Sequence, residues 1–227
     1  MTLAPIGGTV RSVQVGRPRA FDYDGKAVQS AIWKSPVTGP VAVRGVNLDG
    51  DDQADREAHG GPDKAVYAYA SEDLEWWEQQ LGRTLETGIF GENLTTLGID
   101  VSTARVGERW AIGTTVLEVS EPRVPCWRLG VRMNDNLFPR RFTEAQRPGA
   151  YLRIIAEGEL ADGDGIRVIS RPAHEVTIQD VFRIYLHDRA EAGRLLTVPQ
   201  LSAPWRDWAQ QVMDRARDRD QRLKGSG

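Results

Sequence analysis

The 227-residue chain contains one cysteine, Cys126, and only three histidines. A single cysteine excludes an intramolecular disulfide and a zinc site built from several thiolates. Lys and Arg total 29 against 32 Asp and Glu, which gives a formal net charge of −3. Because the chain has no basic excess, we do not expect it to bind nucleic acid through broad charge.

Long apolar segments are also missing. No run approaches the ~20 residues needed to span a bilayer, and the first ten residues lack the basic start and apolar core of a secretory signal. The chain shows no flavin fingerprint and no cysteine spacing for an iron–sulfur cluster. We therefore expect a cytoplasmic protein without membrane contact, and any electrons it uses should come from another protein.

Short apolar stretches separated by glycine turns occupy residues 9–170. This pattern predicts many short strands in a closed or nearly closed β-barrel. One helix is predicted to begin at Ser71, whose hydroxyl would cap it, and to end at Gly82. From Arg171 onward the pattern becomes helical, with Thr177 as a predicted N-cap. The predicted class is α+β, mainly β: a barrel domain at 1–170 with peripheral helices, and a small helical appendage at 171–227.

The stretch from Glu121 to Leu129 surrounds Cys126 with prolines, arginines and a tryptophan. Neighbouring cations favour the thiolate, which attacks electrophiles and binds soft metals. The two prolines predict a stiff loop or strand end rather than a helix. The alternative is that Cys126 is a small buried apolar residue, as free cysteines often are.

Two glycine-containing loops are further candidates. In the segment 59–64, Gly60 and Gly61 leave backbone N–H groups free to face an anion, and Lys64 adds a point charge. The alternative is a plain turn before a strand. The segment 91–94 either forms a second backbone loop at the same pocket or is a turn that its own asparagine caps. The acidic stretch 49–52 lacks the ligand spacing of a calcium loop.

These loops, in this order, resemble a MOSC domain, the β-barrel module related to the C-terminal part of molybdenum cofactor sulfurases. The resemblance rests on His59-Gly60-Gly61-Pro62-Asp63-Lys64, Gly91-Glu92-Asn93-Leu94, Pro122-Arg123-Val124-Pro125-Cys126 and Gly149-Ala150-Tyr151-Leu152-Arg153. It covers roughly residues 9–215. The trailing helices resemble the three-helix appendage of stand-alone bacterial members of the YiiM type.

The resemblance implies a molybdenum cofactor (Mo-molybdopterin) and the reduction of N-hydroxylated compounds, including hydroxylaminopurines, to amines. Cys126 would be the metal ligand and a catalytic residue, with His59 and Glu92 as catalytic proton carriers. The residues expected to bind the cofactor are His59, Gly60, Gly61, Lys64, Gly91, Asn93, Arg123, Arg128, Tyr151 and Arg153. The implied partners are a small N-hydroxylated substrate and a separate electron-donating reductase, and a homodimer is compatible with the sequence.

Three alternatives stay open on the sequence. The chain could be a non-redox module that carries the pterin cofactor, or a sulfur group on a Cys126 persulfide. It could be a cysteine hydrolase with His59 as the base, although no Asn or Asp that would orient the histidine is evident. It could also be a purely structural domain.

Overall fold

The computed structural model describes residues 6–53 and 60–225. The strands in these ranges are β1 (Ile6–Val15), β2 (Arg19–Tyr23), β3 (Lys26–Ser30), β4 (Ser35–Val37), β5 (Val41–Arg44), β6 (Asn47–Leu48), β7 (Val66–Ala70), β8 (Leu94–Leu97), β9 (Arg109–Ile112), β10 (Thr115–Pro122), β11 (Ala150–Ala156), β12 (Gly158–Leu160) and β13 (Gly165–Ser170). The α-helices are α1 (Ser71–Leu81), α2 (Trp127–Met133), α3 (Phe138–Glu144), α4 (Ile178–Leu186) and α5 (Ala203–Gly225). Two 3-10 helices lie at Pro62–Lys64 and Arg189–Thr197.

Seven strands close into a barrel in the order β13-β9-β10-β11-β7-β8-β1, because β1 pairs back to β13. Neighbouring strands run antiparallel except β7 and β8, which are parallel. A parallel pair needs a crossover connection, and here α1 lies in that connection. The predicted mainly β barrel with peripheral helices is therefore confirmed. Strand β4 pairs with the last residues of β1, Val13 to Val15. Two smaller sheets are formed by β12-β5-β6 and by β2-β3.

The barrel core is continuous with the C-terminal helices. Trp110 and Leu117 of the barrel belong to the same buried apolar cluster as Val181, Leu195 and Trp205 of the C-terminal segment. The three C-terminal helices are thus packed on the barrel rather than tethered beside it. The residue at which the two parts divide, placed at 170/171 by the sequence, stays a prediction.

A second buried cluster lies among the helices that follow β7. It is rich in aromatic side chains, and its largest members are Tyr69, Trp77, Phe90, Phe138 and Phe142. Trp77 and Phe142 stack with ring centroids 6.0 Å apart. This cluster fixes α1, α2 and α3 against one another, and therefore also fixes the position at which α2 begins.

One local prediction about a helix end was wrong and one about the cysteine segment was right. Ser71 does not cap α1: strand β7 runs directly into the helix, so the extended Ala70 is the N-cap, and the Ser71 hydroxyl is buried without a hydrogen-bond partner. The stiff loop or strand end predicted around the two prolines is confirmed: Pro122 ends β10, Pro125 lies in the connection after it, and α2 begins only at Trp127. Both prolines of that segment precede the helix, so their missing N–H groups remove no intrahelical hydrogen bond.

The cap predicted at Thr177 is confirmed. Its hydroxyl accepts a hydrogen bond from the Asp180 backbone N–H, and the Asp180 carboxylate accepts one from the Thr177 backbone N–H. This reciprocal pair is a capping box. Across the described ranges, no helix is both long and apolar enough to cross a bilayer.

Candidate functional site

One cavity collects side chains from loops that are far apart in the sequence. Its lining comes from the segment after β3, the loop after β6, the 3-10 helix before β7, the loop before β8, the turn between β10 and α2, and β11. The predicted site residues among its lining are Lys64, Gly91, Asn93, Arg123, Cys126, Arg128 and Tyr151. The order of loops recognised in the sequence therefore corresponds to one place in the fold.

Cys126 lies in the short turn between Pro122, the last residue of β10, and Trp127, the first residue of α2. It is half-buried and lines the cavity. It is therefore not a core residue, and the alternative of a small buried apolar side chain does not hold. A thiol in this position can meet a ligand in the cavity.

Arg123 is the buried cation of the site. Only 7% of the residue is exposed, and its Nη1 atom has no hydrogen-bond partner among the described residues. Its Cζ atom lies 5.3 Å from the ring centre of Tyr67 and 5.9 Å from that of Phe142. An arginine stays protonated in proteins, and a buried charge with an unused donor is costly unless an anion meets it. Arg123 is thus a buried cation with a donor that could bind an anionic ligand in the cavity.

Two further predicted cations lie at the edge of the same cavity. The Lys64 Nζ atom is 3.6 Å from Glu121 Oε1. The Arg128 Cζ atom lies 4.8 Å from the ring centre of Trp127. Both side chains are partly exposed, and both belong to the cavity lining.

Lys34 and Asp51 form a buried ion pair in the cavity lining. The Lys34 Nζ atom lies 2.5 Å from Asp51 Oδ1 and 2.7 Å from Asp51 Oδ2. Their side chains are only 8% and 3% exposed. Burial lowers the pKa of Lys34, and the Asp51 carboxylate opposes that shift. Lys34 is therefore an ammonium group whose proton is held less tightly than that of a surface lysine.

Asn93 holds the loops around this ion pair in place. Its Oδ1 accepts a hydrogen bond from the Tyr67 backbone N–H at 3.1 Å, and its Nδ2 donates to Asp51 Oδ2 at 2.8 Å and to the Gln14 carbonyl at 3.2 Å. Asp51 Oδ1 also accepts from the Gly16 backbone N–H at 2.8 Å. The amide of Asn93 is thus committed to protein atoms, and its role in the site is to position Asp51.

Two tyrosines complete the inner wall. The rings of Tyr67 and Tyr151 lie 5.1 Å apart, and the Tyr67 hydroxyl donates to the Pro148 carbonyl at 2.8 Å. Burial raises the pKa of both phenols, and the nearby Arg123 charge opposes the shift. Both phenols are therefore neutral near pH 7, so the positive charge of Arg123 is not cancelled by a phenolate.

Several residues predicted for the site lie elsewhere. Glu92 does not line the cavity; its carboxylate accepts hydrogen bonds from the Gly88 and Phe90 backbone N–H groups at 2.6 and 3.0 Å. Arg153 lies two residues after Tyr151 on β11, on the face predicted for both. Its guanidinium, however, donates hydrogen bonds to Asp63, Glu118 and the Gln200 carbonyl, and Arg153 does not line the cavity. These contacts indicate that Glu92 shapes its loop and that Arg153 joins the barrel to the C-terminal segment.

The first glycine loop is only partly described. His59 lies outside the described residues. Gly60 and Gly61 do not line the cavity, whereas Lys64 does. Gly61 has φ 95°, and its backbone N–H donates to Gln53 Oε1 at 3.0 Å. That N–H is therefore used within the protein, and the anion cradle predicted for this loop is not formed by Gly61.

Sequence reasoning missed Lys34, Asp51, Gln53 and Tyr67, all of which line the cavity. Lys34 follows a short stretch for which the sequence predicts irregular β structure. Asp51 lies in the acidic stretch 49–52, whose sequence shows only a superficial likeness to a calcium loop. Neither position has a regular spacing to the cysteine turn. The available signal was weak: an isolated lysine and a cluster of aspartates in glycine-rich loops of a predicted barrel.

Comparisons with known proteins agree with this fold. The family model of the MOSC domain matches residues 55–167, and the model of the YiiM-like, 3-alpha helix domain matches residues 176–211. The chain is 34% identical over 201 residues to protein YflK of Bacillus subtilis, covering 87% of this chain and 91% of YflK. It is 31% identical over 199 residues to protein YiiM of Escherichia coli, covering 85% of this chain and 87% of YiiM.

The chain belongs to the MOSC domain family. Among solved structures, YiiM of Geobacillus stearothermophilus is similar with a TM-score of 0.75 and 31% identity, covering 90% of this chain and 98% of that protein. A Gibberella moniliformis protein named "Reductase" is 30% identical over 184 residues, which cover 79% of this chain and only 32% of the fungal protein. MOSC domains are associated, as a family, with the molybdenum cofactor.

The cavity residues fit such a cofactor. The unpaired Nη1 atom of the buried Arg123 suits the cofactor's phosphate, and the Cys126 thiol is a soft donor of the kind that molybdenum accepts. Gly91 has φ 80°, and a Cβ atom there would lie 2.9 Å from Ile32 Cγ1, so only glycine fits this position of the lining. Among the residues that the structure describes, no group of three His, Cys, Asp or Glu side chains is arranged to hold a metal ion.

Proposed function

We propose that this MOSC protein holds a molybdenum–pterin cofactor in the cavity and reduces N-hydroxylated compounds, such as hydroxylaminopurines, to amines. One observation carries the proposal: the single thiol of the chain and a buried arginine with an unused donor line the same cavity. A soft metal ligand next to an anion-binding cation is what a metal bound to a phosphorylated pterin requires.

Each cavity residue has a specific part in this proposal. Cys126 ligates the metal through its sulfur. Arg123 donates to the cofactor phosphate, and Arg128 and Lys64 add positive charge near the solvent side. Tyr67 and Tyr151 form an apolar wall with neutral hydroxyl groups, which limits water around the reacting atoms.

The reaction consumes two electrons and two protons: R–NHOH + 2e⁻ + 2H⁺ gives R–NH₂ and H₂O. When bound, the cofactor would supply the two electrons. The chain must supply protons, and Lys34 is a buried ammonium group in the cavity lining, with its Nζ atom held by Asp51. We assign the proton role to Lys34 rather than to Glu92, because Glu92 does not line the cavity. A role for His59 stays a prediction.

The electron donor is proposed to be a separate reductase, since the sequence has no flavin or iron–sulfur signature. The fungal relative named "Reductase" supports an oxidoreductase activity, and this chain spans about a third of its length. The cytosol remains the predicted location, and hydroxylaminopurines the predicted substrates.

The test is turnover with an artificial electron donor. Wild-type protein from a host that makes molybdenum cofactor should reduce a hydroxylaminopurine to the aminopurine, and Cys126→Ser should show no reduction above background. Product formation is measured by chromatography. If the wild type retains cofactor but never turns over, the non-redox carrier function is correct instead. If Cys126→Ser turns over like the wild type, Cys126 is not the metal ligand.

A further inference from the structure

The hairpin β2–β3 stands apart from the barrel sheet. Its two strands pair only with each other among the described strands, with Phe21 opposite Val28. A two-stranded hairpin is marginally stable on its own in water. Its position on the protein must therefore depend on side-chain contacts from one of its faces.

That face is aromatic and leads to the cysteine turn. Phe21 and Tyr23 alternate with exposed neighbours along β2, so both project from the same side. The Tyr23 ring stacks on Trp127 at 4.2 Å between centroids, and Phe21 meets the edge of Trp33 at 4.9 Å. Trp127 directly follows Cys126 in the chain, so the hairpin is held beside the thiol.

The hairpin and the helix that starts at Trp127 each contribute a residue to the cavity lining, although neither Tyr23 nor Trp127 lines it. Ser30, the last residue of β3, lines the cavity, and so does Arg128, whose Cζ atom lies 4.8 Å from the Trp127 ring centre. Neither Tyr23 nor Trp127 belongs to either buried core cluster. These aromatic contacts thus add little to the core of the fold, whereas they decide where the hairpin lies at the Cys126 side of the cavity.

We propose that the β2–β3 hairpin is the outer wall of the route to Cys126, and that Tyr23, held against Trp127, limits the size of the molecules that reach the thiol. The part that concerns substrates rests on the proposed function: Tyr23 would be a specificity-determining residue that admits small N-hydroxylated compounds and excludes bulky ones. The part that concerns access to Cys126 holds for the protein whether or not it is a reductase.

The chain has one cysteine, so alkylation reports on Cys126 alone. Full-length protein without cofactor is reacted with iodoacetamide, which is small, and with fluorescein maleimide, which is bulky. In Tyr23→Ala the maleimide rate should rise about tenfold, the upper range for loss of one aromatic pair. The iodoacetamide rate should change less than about twofold, because the small reagent already passes the wall in the wild type.

Two variants serve as controls. Tyr23→Phe keeps the ring that stacks on Trp127 and should react like the wild type. Gln29→Ala changes an exposed residue of β3 and should also leave both rates unchanged. Mass spectrometry of the labelled chain gives the rates, and the midpoint of urea unfolding shows whether each variant is folded.

The proposal is overturned if Tyr23→Ala leaves the rate of maleimide labelling unchanged. It is also overturned if the iodoacetamide and maleimide rates rise by the same factor, because equal increases mean that the structure around Cys126 has loosened rather than that a size limit has been removed. In the loaded enzyme, Tyr23→Ala should raise kcat/KM for a bulky hydroxylamine relative to a small one. If the cofactor-loaded wild type reduces no hydroxylamine, the proposed function is wrong. The alkylation rates still test the size limit at Cys126.

Discussion

At the scale of single residues, Glu92 illustrates how a buried carboxylate can serve a loop rather than a reaction. It is fully buried, and its oxygens accept hydrogen bonds from two backbone N–H groups and from the Thr95 hydroxyl. Gly88 and Gly91 on either side of these bonds have positive φ angles. The carboxylate therefore stabilises a tight glycine turn whose last part, Gly91, lines the cavity.

We predict that Glu92→Gln lowers the free energy of unfolding by about 1–3 kcal/mol at pH 7, because the new amide group replaces an acceptor with a donor next to a backbone N–H. Burial raises the pKa of Glu92 above its ordinary value, and the backbone hydrogen bonds oppose that shift. Between the ordinary pKa of about 4.3 and the folded-state value, the folded protein binds more protons than the unfolded chain. Its stability therefore falls as pH rises through that window.

The stability difference between the wild type and Glu92→Gln should thus be larger near pH 4.5 than at pH 7, as measured by urea unfolding at both values. Glu86→Gln, a change at an exposed glutamate in the same region, is the control and should be nearly neutral. Equal stability of the wild type and Glu92→Gln at every pH would contradict the loop-stabilising role. A pH–rate profile that changes while stability does not would return Glu92 to the proton path.

Residues of the site differ in how far the sequence could predict them. Cys126, Arg123 and Arg128 come from one short stretch with an unusual composition, so their proximity follows from chain connectivity. The Lys34–Asp51 pair joins two irregular loops, and Asn93 and Gly16 also bond Asp51. Such a pair depends on the tertiary fold, and neither hydrophobic periodicity nor local spacing carries that information.

At the scale of elements, the C-terminal 3-10 helix shows how closely the appendage is joined to the barrel. Leu195 is fully buried in the cluster that includes the barrel core, whereas the next residue, Leu196, is 39% exposed. Arg153 of β11 also donates to the Gln200 carbonyl just beyond this helix. The sequence predicted a helical appendage but not this junction, because the junction is made by residues far apart in the chain.

We predict that Leu195→Ala lowers the free energy of unfolding by about 2–5 kcal/mol, the range for emptying a buried leucine site. Leu196→Ala is the matched control and should cost much less. Urea unfolding followed by tryptophan fluorescence and by far-UV circular dichroism should give coincident transitions that shift together in Leu195→Ala. A shift confined to one probe would mean that the C-terminal helices unfold independently of the barrel.

At the scale of the whole molecule, the barrel gathers its connecting loops around one cavity, and the C-terminal helices cover part of its core. Glycine turns and alternating strands were enough to predict a barrel, and the order of loops was enough to predict the family. The parallel pairing of β7 with β8 was not predicted, because it arises from the crossover through α1. The packing of the β2–β3 hairpin on Trp127 was also not predicted, because the Tyr23–Trp127 contact joins residues about a hundred positions apart in the sequence.

The cavity is proposed to hold a molybdenum–pterin cofactor through Cys126 and Arg123. The most direct measurement is the molybdenum and pterin content of protein purified from a host that makes the cofactor. We expect about one molybdenum per chain, as one thiolate ligand implies, its loss in Cys126→Ser, and reduced retention in Arg123→Ala. Arg140→Ala, a change at an exposed arginine, should retain cofactor like the wild type. Wild-type protein that carries neither molybdenum nor pterin would contradict the account.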